Sequence, residues 1–125
     1  MTNTRPVVVV ADDDEDILLL VRATLTGGGY AVEVVRDGRS ALELVRERAP
    51  AAAVLDIAMP ELSGLDVLRQ VRSDPATADL PIVLLSARAQ ENDVARGYEL
   101  GASKYIRKPF SPRELVTVID ELVGR

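Results

Sequence analysis

The sequence predicts an α/β fold: a parallel sheet of five strands with helices on both faces. Two observations carry this. Short apolar runs alternate with amphipathic stretches, strand then helix, five times over, and such alternation builds right-handed crossovers over a parallel sheet. The first run, Val7–Ala11, is continuous and rich in branched residues, as a strand buried on both faces should be.

The elements follow in order. After Val7–Ala11, residues 15–26 place Ile17, Leu20, Val21 and Leu25 at helical spacing, with Asp14 as the cap, and Gly27, Gly28 and Gly29 stop the helix by tolerating positive φ. Ala31–Val35 alternates and carries Glu33, which suits an edge strand. Asp37 and Gly38 turn the chain, Ser40 is placed as a cap, and Ala41, Leu42, Val45 and Ala49 form an apolar stripe ended by Pro50. Residues 51–55 make the third strand, and 64–72 a helix with Leu65, Leu68 and Val71 inward. Asp74, Pro75 and Pro81 bracket a loop before the fourth strand, 82–85. Residues 90–99 form a weak helix anchored by Val94, Ala95, Tyr98 and Leu100. A short fifth strand at 104–106 leads to a last helix opened by Ser111 and Pro112, with Leu115, Val118, Ile119 and Leu122 buried.

Composition narrows the function. The 125 residues suit one domain, 1–125, and 47% are hydrophobic but only 3% aromatic, so aliphatic side chains must fill the core. The sequence has neither an apolar run of about 18 residues nor an apolar segment at its start, so no membrane association is expected and the cytoplasm is the expected location. A net charge of −5 without a basic stretch gives no footprint for direct nucleic-acid binding. With no His and no Cys, a bound metal must be a hard, oxygen-ligated ion: Mg²⁺, Mn²⁺ or Ca²⁺ rather than Zn²⁺.

The chemistry-bearing residues gather at one edge. Asp12, Asp13 and Asp14 follow the first strand, Asp56 follows the third run, Ser86 the fourth, and Lys108 the fifth. Parallel α/β sheets place their sites at the carboxyl ends of the strands. Each residue also has an ordinary reading: acids favour the first turn of a helix, Asp56 suits a turn, Ser86 suits a cap, Lys108 suits a solvated surface and Tyr105 suits packing. Three adjacent acids are harder to explain that way, because two carboxylates about 4 Å apart repel by roughly 4 kcal/mol at an effective dielectric of 20. A divalent cation removes that cost. It would also allow Asp56 to attack phosphorus and form an acyl phosphate, and Lys108 is a compact charge suited to a phosphate oxygen.

Four segments together resemble the receiver domain of two-component response regulators, the chemotaxis-regulator type, over nearly the whole length. They run from Val9 through Asp12 and Asp13 to Ile17, from Leu55 and Asp56 through Met59 and Pro60 to Gly64, from Leu84 to Ser86 and Ala87, and from Lys104 and Tyr105 through Lys108 and Pro109 to Phe110. The resemblance implies a flavodoxin-like sheet of order 2-1-3-4-5. It implies phosphorylation at Asp56 by a phosphohistidine on a sensor histidine kinase or histidine phosphotransfer protein. It further implies Mg²⁺ (or Mn²⁺) held by Asp12, Asp13, Asp56 and the backbone carbonyl of Ala58. Ser86 and Lys108 would bind the phosphoryl group, Ser86 and Tyr105 would switch, and the Lys108–Pro109 bond would be cis. The implied output is an altered affinity of the face formed by the fourth helix, fifth strand and fifth helix for a downstream output domain or protein, with a phosphorylation-dependent dimer as a further outcome. Such a protein catalyses its own phosphorylation and dephosphorylation and no separate metabolic reaction. Ala58 and Arg88 occupy positions that tune dephosphorylation in that family.

Two other classes fit less well. An aspartyl-nucleophile phosphohydrolase needs Asp-x-Asp after the first strand with Thr or Val two residues on, where this chain has Asp16, and a cap domain. A flavin-binding module needs a Ser/Thr/Gly-rich loop after the first strand and aromatics for the ring, whereas acids follow that strand here and the chain has only 3 Tyr and 1 Phe.

Overall fold

The computed structural model describes residues 5–87 and 91–125 of the chain. Its elements alternate as β1 (Val7–Ala11), α1 (Glu15–Gly27), β2 (Ala31–Val35), α2 (Gly38–Arg48), β3 (Ala52–Asp56), α3 (Gly64–Ser73), β4 (Ile82–Ser86), α4 (Glu91–Glu99), β5 (Lys104–Arg107) and α5 (Pro112–Val123). All five strands are parallel, in the order β2-β1-β3-β4-β5. The expected fold class and strand order are those observed, and β2, with its Glu33, lies at an edge.

The period of two along a strand sorts the core into two clusters. Val8 and Val10 of β1 face one side, where α1 and α5 supply Leu18, Val21, Leu25, Leu115 and Ile119. Val9 and Ala11 face the other, where α2 and α3 supply Ala41, Leu42, Val45, Val67, Leu68 and Val71. Strands β3 and β4 are buried throughout, which explains their unbroken apolar sequence. No described helix is long and apolar enough to cross a membrane.

Helix ends follow local chemistry. Asp14 caps α1, its side chain accepting from the Asp16 and Ile17 amides, and α3 opens on a reciprocal Ser63–Asp66 capping box. Ser111 caps α5 with Pro112 in the first turn. The cap of α2 is Asp37, which accepts from the Ser40 amide at 2.7 Å; Ser40 donates rather than capping.

Four buried stripes differ from expectation. In α3, Val67 is fully buried and Leu65 only half-buried. In α1 the run from Ile17 to Val21 leaves the helical phase ambiguous. The structure buries Leu18, Val21 and Leu25, while Leu20 is 41% exposed. Ala49 is exposed and sits beyond α2 in a left-handed conformation with φ 44°, because the residue before a proline is disfavoured in the helical region. On α4, Ala95 and Tyr98 are exposed and Gly97 is buried, since the helix backbone at Gly97 itself packs on the sheet.

Far from the acidic edge, Tyr30 is buried, donates its hydroxyl to Asp120 of α5, and carries the Arg125 guanidinium 4.8 Å above its ring centroid. Burial, then the hydrogen bond and charge of Asp120, push its phenol up to about 12 against the opposing pull of Arg125. This contact ties the start of β2 to the end of α5.

Candidate functional site

The parallel register brings the ends of β1, β3, β4 and β5 to one edge. Ala11 pairs with Leu55, Asp56 with Leu85, and Ser86 with Arg107. Asp12 therefore leaves β1 beside Asp56, the last residue of β3, while Ser86 ends β4 and Lys108 follows β5. The Lys108 amide donates to the Ser86 carbonyl at 2.8 Å, holding the β5 exit against β4. The Lys108–Pro109 peptide bond is cis.

Asp12 is fully buried. Its Oδ1 accepts from the Asp14 amide at 2.9 Å, and its Oδ2 lies 2.9 Å from Lys108 Nζ. That close contact is off hydrogen-bond alignment, so the buried Oδ2 has no aligned donor among the described residues. Lys108 Nζ also stands 3.3 Å from Asp56 Oδ1. Carboxylate oxygens of Asp12, Asp13 and Asp56 lie within 4.8 Å of one another, with Asp13 the exposed member. One ammonium thus faces two buried acids while a third acid waits at the rim.

The crowding shifts how Asp56 and Lys108 hold their protons. Burial, followed by the charge of Asp12, pushes Asp56 up to about 6 from an ordinary 3.8, with Lys108 pulling the other way. For Lys108, burial works to lower the value, but its contact with Asp12 and the negative charges of Asp56 and Asp12 outweigh it, and the ammonium is held above its usual range. An acid cluster that is under-neutralised, made only of hard oxygen donors and containing a buried oxygen without an aligned donor fits a divalent cation of the Mg²⁺ type.

A cavity of about 380 Å³ opens over the cluster, lined by Asp13, Asp56, Ile57, Ala58, Leu65, Ser86, Ala87 and Lys108. A larger one of about 610 Å³ lies between α2 and the segment joining α3 to β4. That cavity lacks the grouped acids and the buried lysine, so charge rather than volume picks the site. Asp12, Asp13, Asp56, Ala58, Ser86 and Lys108 are brought together. Tyr105 is not at the cavity but packs on the α2–α3 side of the sheet, and Arg88 lies outside the described residues.

Sequence reasoning missed Leu65 as an apolar wall and Gly64 as a positioning residue. A Cβ at Gly64 would stand 2.4 Å from the Asp56 carbonyl oxygen, and the Gly64 amide donates to Ile57 O at 2.9 Å. The start of α3 therefore presses on the backbone that carries Asp56. Gly64→Ala is expected to cost about 1–3 kcal/mol in urea denaturation and to displace the Asp56 amide resonance in NMR spectra. The only sequence signal was a glycine at the start of a helix.

The response regulator receiver domain family matches residues 8–120. The chain belongs to that family. It is 43% identical over 105 residues to response regulator MprA of Mycolicibacterium vanbaalenii, and 44% identical over 105 residues to MprA of Mycobacterium leprae. Each alignment takes in 84% of this receiver domain chain but only 45% of the relative, so the chain spans less than half the length of these relatives. The Francisella response regulator 1452 receiver domain superposes with a TM-score of 0.90 at 32% identity, over 96% of this chain and 98% of that one. Chemotaxis response regulator CheY4 of Vibrio cholerae gives a TM-score of 0.88 at 28% identity, over 95% and 99%. These receivers and the present one share the fold.

Proposed function

We propose that this receiver domain, residues 1–125 as a single unit, takes a phosphoryl group onto Asp56 from the phosphohistidine of a sensor histidine kinase or histidine phosphotransfer protein. The observation that carries the proposal is the Asp56 carboxylate at the floor of a cavity, 3.3 Å from Lys108 Nζ and ringed by the oxygens of Asp12 and Asp13. An Asp56 oxygen bonds to phosphorus as the P–N bond to the donor imidazole breaks, and the imidazole leaves with the bonding pair and takes up a proton. Asp12, Asp13, Asp56 and the Ala58 carbonyl would hold Mg²⁺, or Mn²⁺, which when bound neutralises charge on the phosphoryl oxygens. Lys108 remains as a fixed positive charge for one of those oxygens, and the Ser86 hydroxyl is within the same cavity to donate to another. Leu65, Ile57 and Ala87 give the cavity an apolar wall that limits water.

Phosphorylation adds about −1.5 to −2 charges. Ser86 and Lys108, on the ends of β4 and β5, are drawn toward it, and Tyr105, on β5, is placed to follow. The face of α4, β5 and α5 would then change its affinity for an output domain or protein, as a population shift limited by its differential affinity for the two states.

Intact mass after incubation with acetyl phosphate and Mg²⁺ tests this. Wild type should gain one base-labile phosphoryl group and Asp56→Asn none; equal uptake by the variant sinks the proposal. Asp13→Asn, removing the exposed acid at the rim, should weaken Mg²⁺ binding by roughly tenfold or more with little effect on folding, as followed by isothermal titration calorimetry.

A further inference from the structure

α4 has few buried positions: among its described residues only Gly97 is buried. Two of its described contacts with the sheet fall on one residue, Tyr105. A Cβ at Gly97 would stand 3.2 Å from Tyr105 Cδ2 and 3.1 Å from Leu84 Cδ1, so the Tyr105 ring lies directly against the helix backbone. The next residue, Tyr98, is 44% exposed and accepts a hydrogen bond at its phenolic oxygen from the Tyr105 amide, 3.2 Å away.

The second contact is unusual in its logic. β5 is an edge strand, and an edge strand leaves alternate amides facing out. Tyr98 reaches from α4 to cover one of them. An exposed phenol gains little by burial, so its value lies in that bond. It fixes the register of α4 on β5 at the residue whose ring the same helix touches one position earlier.

Resting on the phosphoacceptor reading above, we propose that Gly97 and Tyr98 form a two-point clasp on Tyr105 that holds α4 in its resting register and sets the threshold of the switch. Tyr98 is a positioning residue: it acts through Tyr105, not on phosphorus. If the Tyr105 ring leaves its place against Gly97, the helix loses its seat, and the bond from the Tyr105 amide to Tyr98 breaks with it. The bond is made in the resting state and lost in the switched one, so removing it favours switching.

The test uses beryllofluoride with Mg²⁺ as a phosphoryl mimic on the full chain. Tyr98→Phe keeps the ring and deletes the acceptor oxygen. Its midpoint for beryllofluoride should fall about two- to fivefold, the range one partly exposed hydrogen bond supplies. The Tyr105 amide resonance of the unliganded variant should move part of the way toward its position in liganded wild type. Gly97→Ala, which crowds the ring from the other contact, should move both readouts in the same direction. An unchanged midpoint in Tyr98→Phe, with only a lower melting temperature, makes the contact merely structural and overturns the clasp while leaving phosphorylation intact. Wild type that fails to bind beryllofluoride overturns the phosphoacceptor reading and the clasp together.

Discussion

Lys108→Met should destabilise the metal-free protein by about 1–3 kcal/mol at pH 8 and by much less at pH 5. The ammonium contacts Asp12 Oδ2 and Asp56 Oδ1 at 2.9 and 3.3 Å, and it is the only cation that near to either acid among the described residues. Removing one partner of a buried ion pair commonly costs about 3–5 kcal/mol. Here the loss is capped, because Asp56, already pushed up to about 6, can protonate instead of staying as an unpaired charge. The cost therefore appears only where the carboxylate must remain ionised. Urea denaturation at the two pH values measures it. Mg²⁺ should restore part of the loss at pH 8, and a variant equally destabilised at both pH values would contradict the electrostatic account.

Asp56→Asn should have the opposite sign. A carboxyl group whose folded-state value is raised binds its proton more tightly when folded. Its contribution to stability is therefore most favourable below the unfolded value near 3.8 and is lost as pH rises through about 6. Above that, the ionised Asp56 is a net burden on the fold. A shift of this size corresponds to a ceiling of about 3 kcal/mol. Since Lys108 retains its Asp12 contact in the variant, a gain on the order of 2 kcal/mol is expected at pH 7.5 without divalent cations, or roughly 8 °C in melting temperature. The gap between variant and wild type should close as pH falls from 6 to 4, and should narrow when Mg²⁺ stabilises wild type. A variant less stable than wild type at pH 7.5 would show that Asp56 is well paired rather than strained. The same substitution is expected to abolish the proposed phosphoryl uptake, so stability and activity would separate at a single carboxylate.

Much of this was legible in the sequence for a specific physical reason. A parallel strand buried on both faces must be apolar along its whole length, so Val7–Ala11 and its counterparts announce themselves, and the first polar residue after each marks the sheet edge where ligands bind. Asp12 and Asp56 could be placed beside one another on that argument; β5 is a short edge strand with charged ends, so Lys108 was placed only by its position at the end of that run. Helical phase was harder. Five consecutive apolar residues from Ile17 to Val21 satisfy several faces at once, and only packing against β1 and β2 selects Leu18 over Leu20. Gly64 and Gly97 were opaque for a deeper reason: what matters there is the absence of a side chain at a close approach between elements distant in sequence. No local pattern records such an approach. The α2 cap was missed because Asp and Ser are both common helix caps, and only the structure shows that Asp37 is the one accepting a backbone amide, that of Ser40.

The tethering of Tyr30 to Asp120 has an optical consequence. The chain holds three tyrosines and no tryptophan, so its ultraviolet emission comes from phenols alone. A phenol that donates to a carboxylate loses part of its ordinary emission to proton transfer in the excited state. Tyr30 is therefore expected to be dimmed, and Tyr98 and Tyr105, the two rings at the junction of α4 and β5, are the other sources of emission. The unlabelled protein thus carries its own lamp at the place where it is proposed to move.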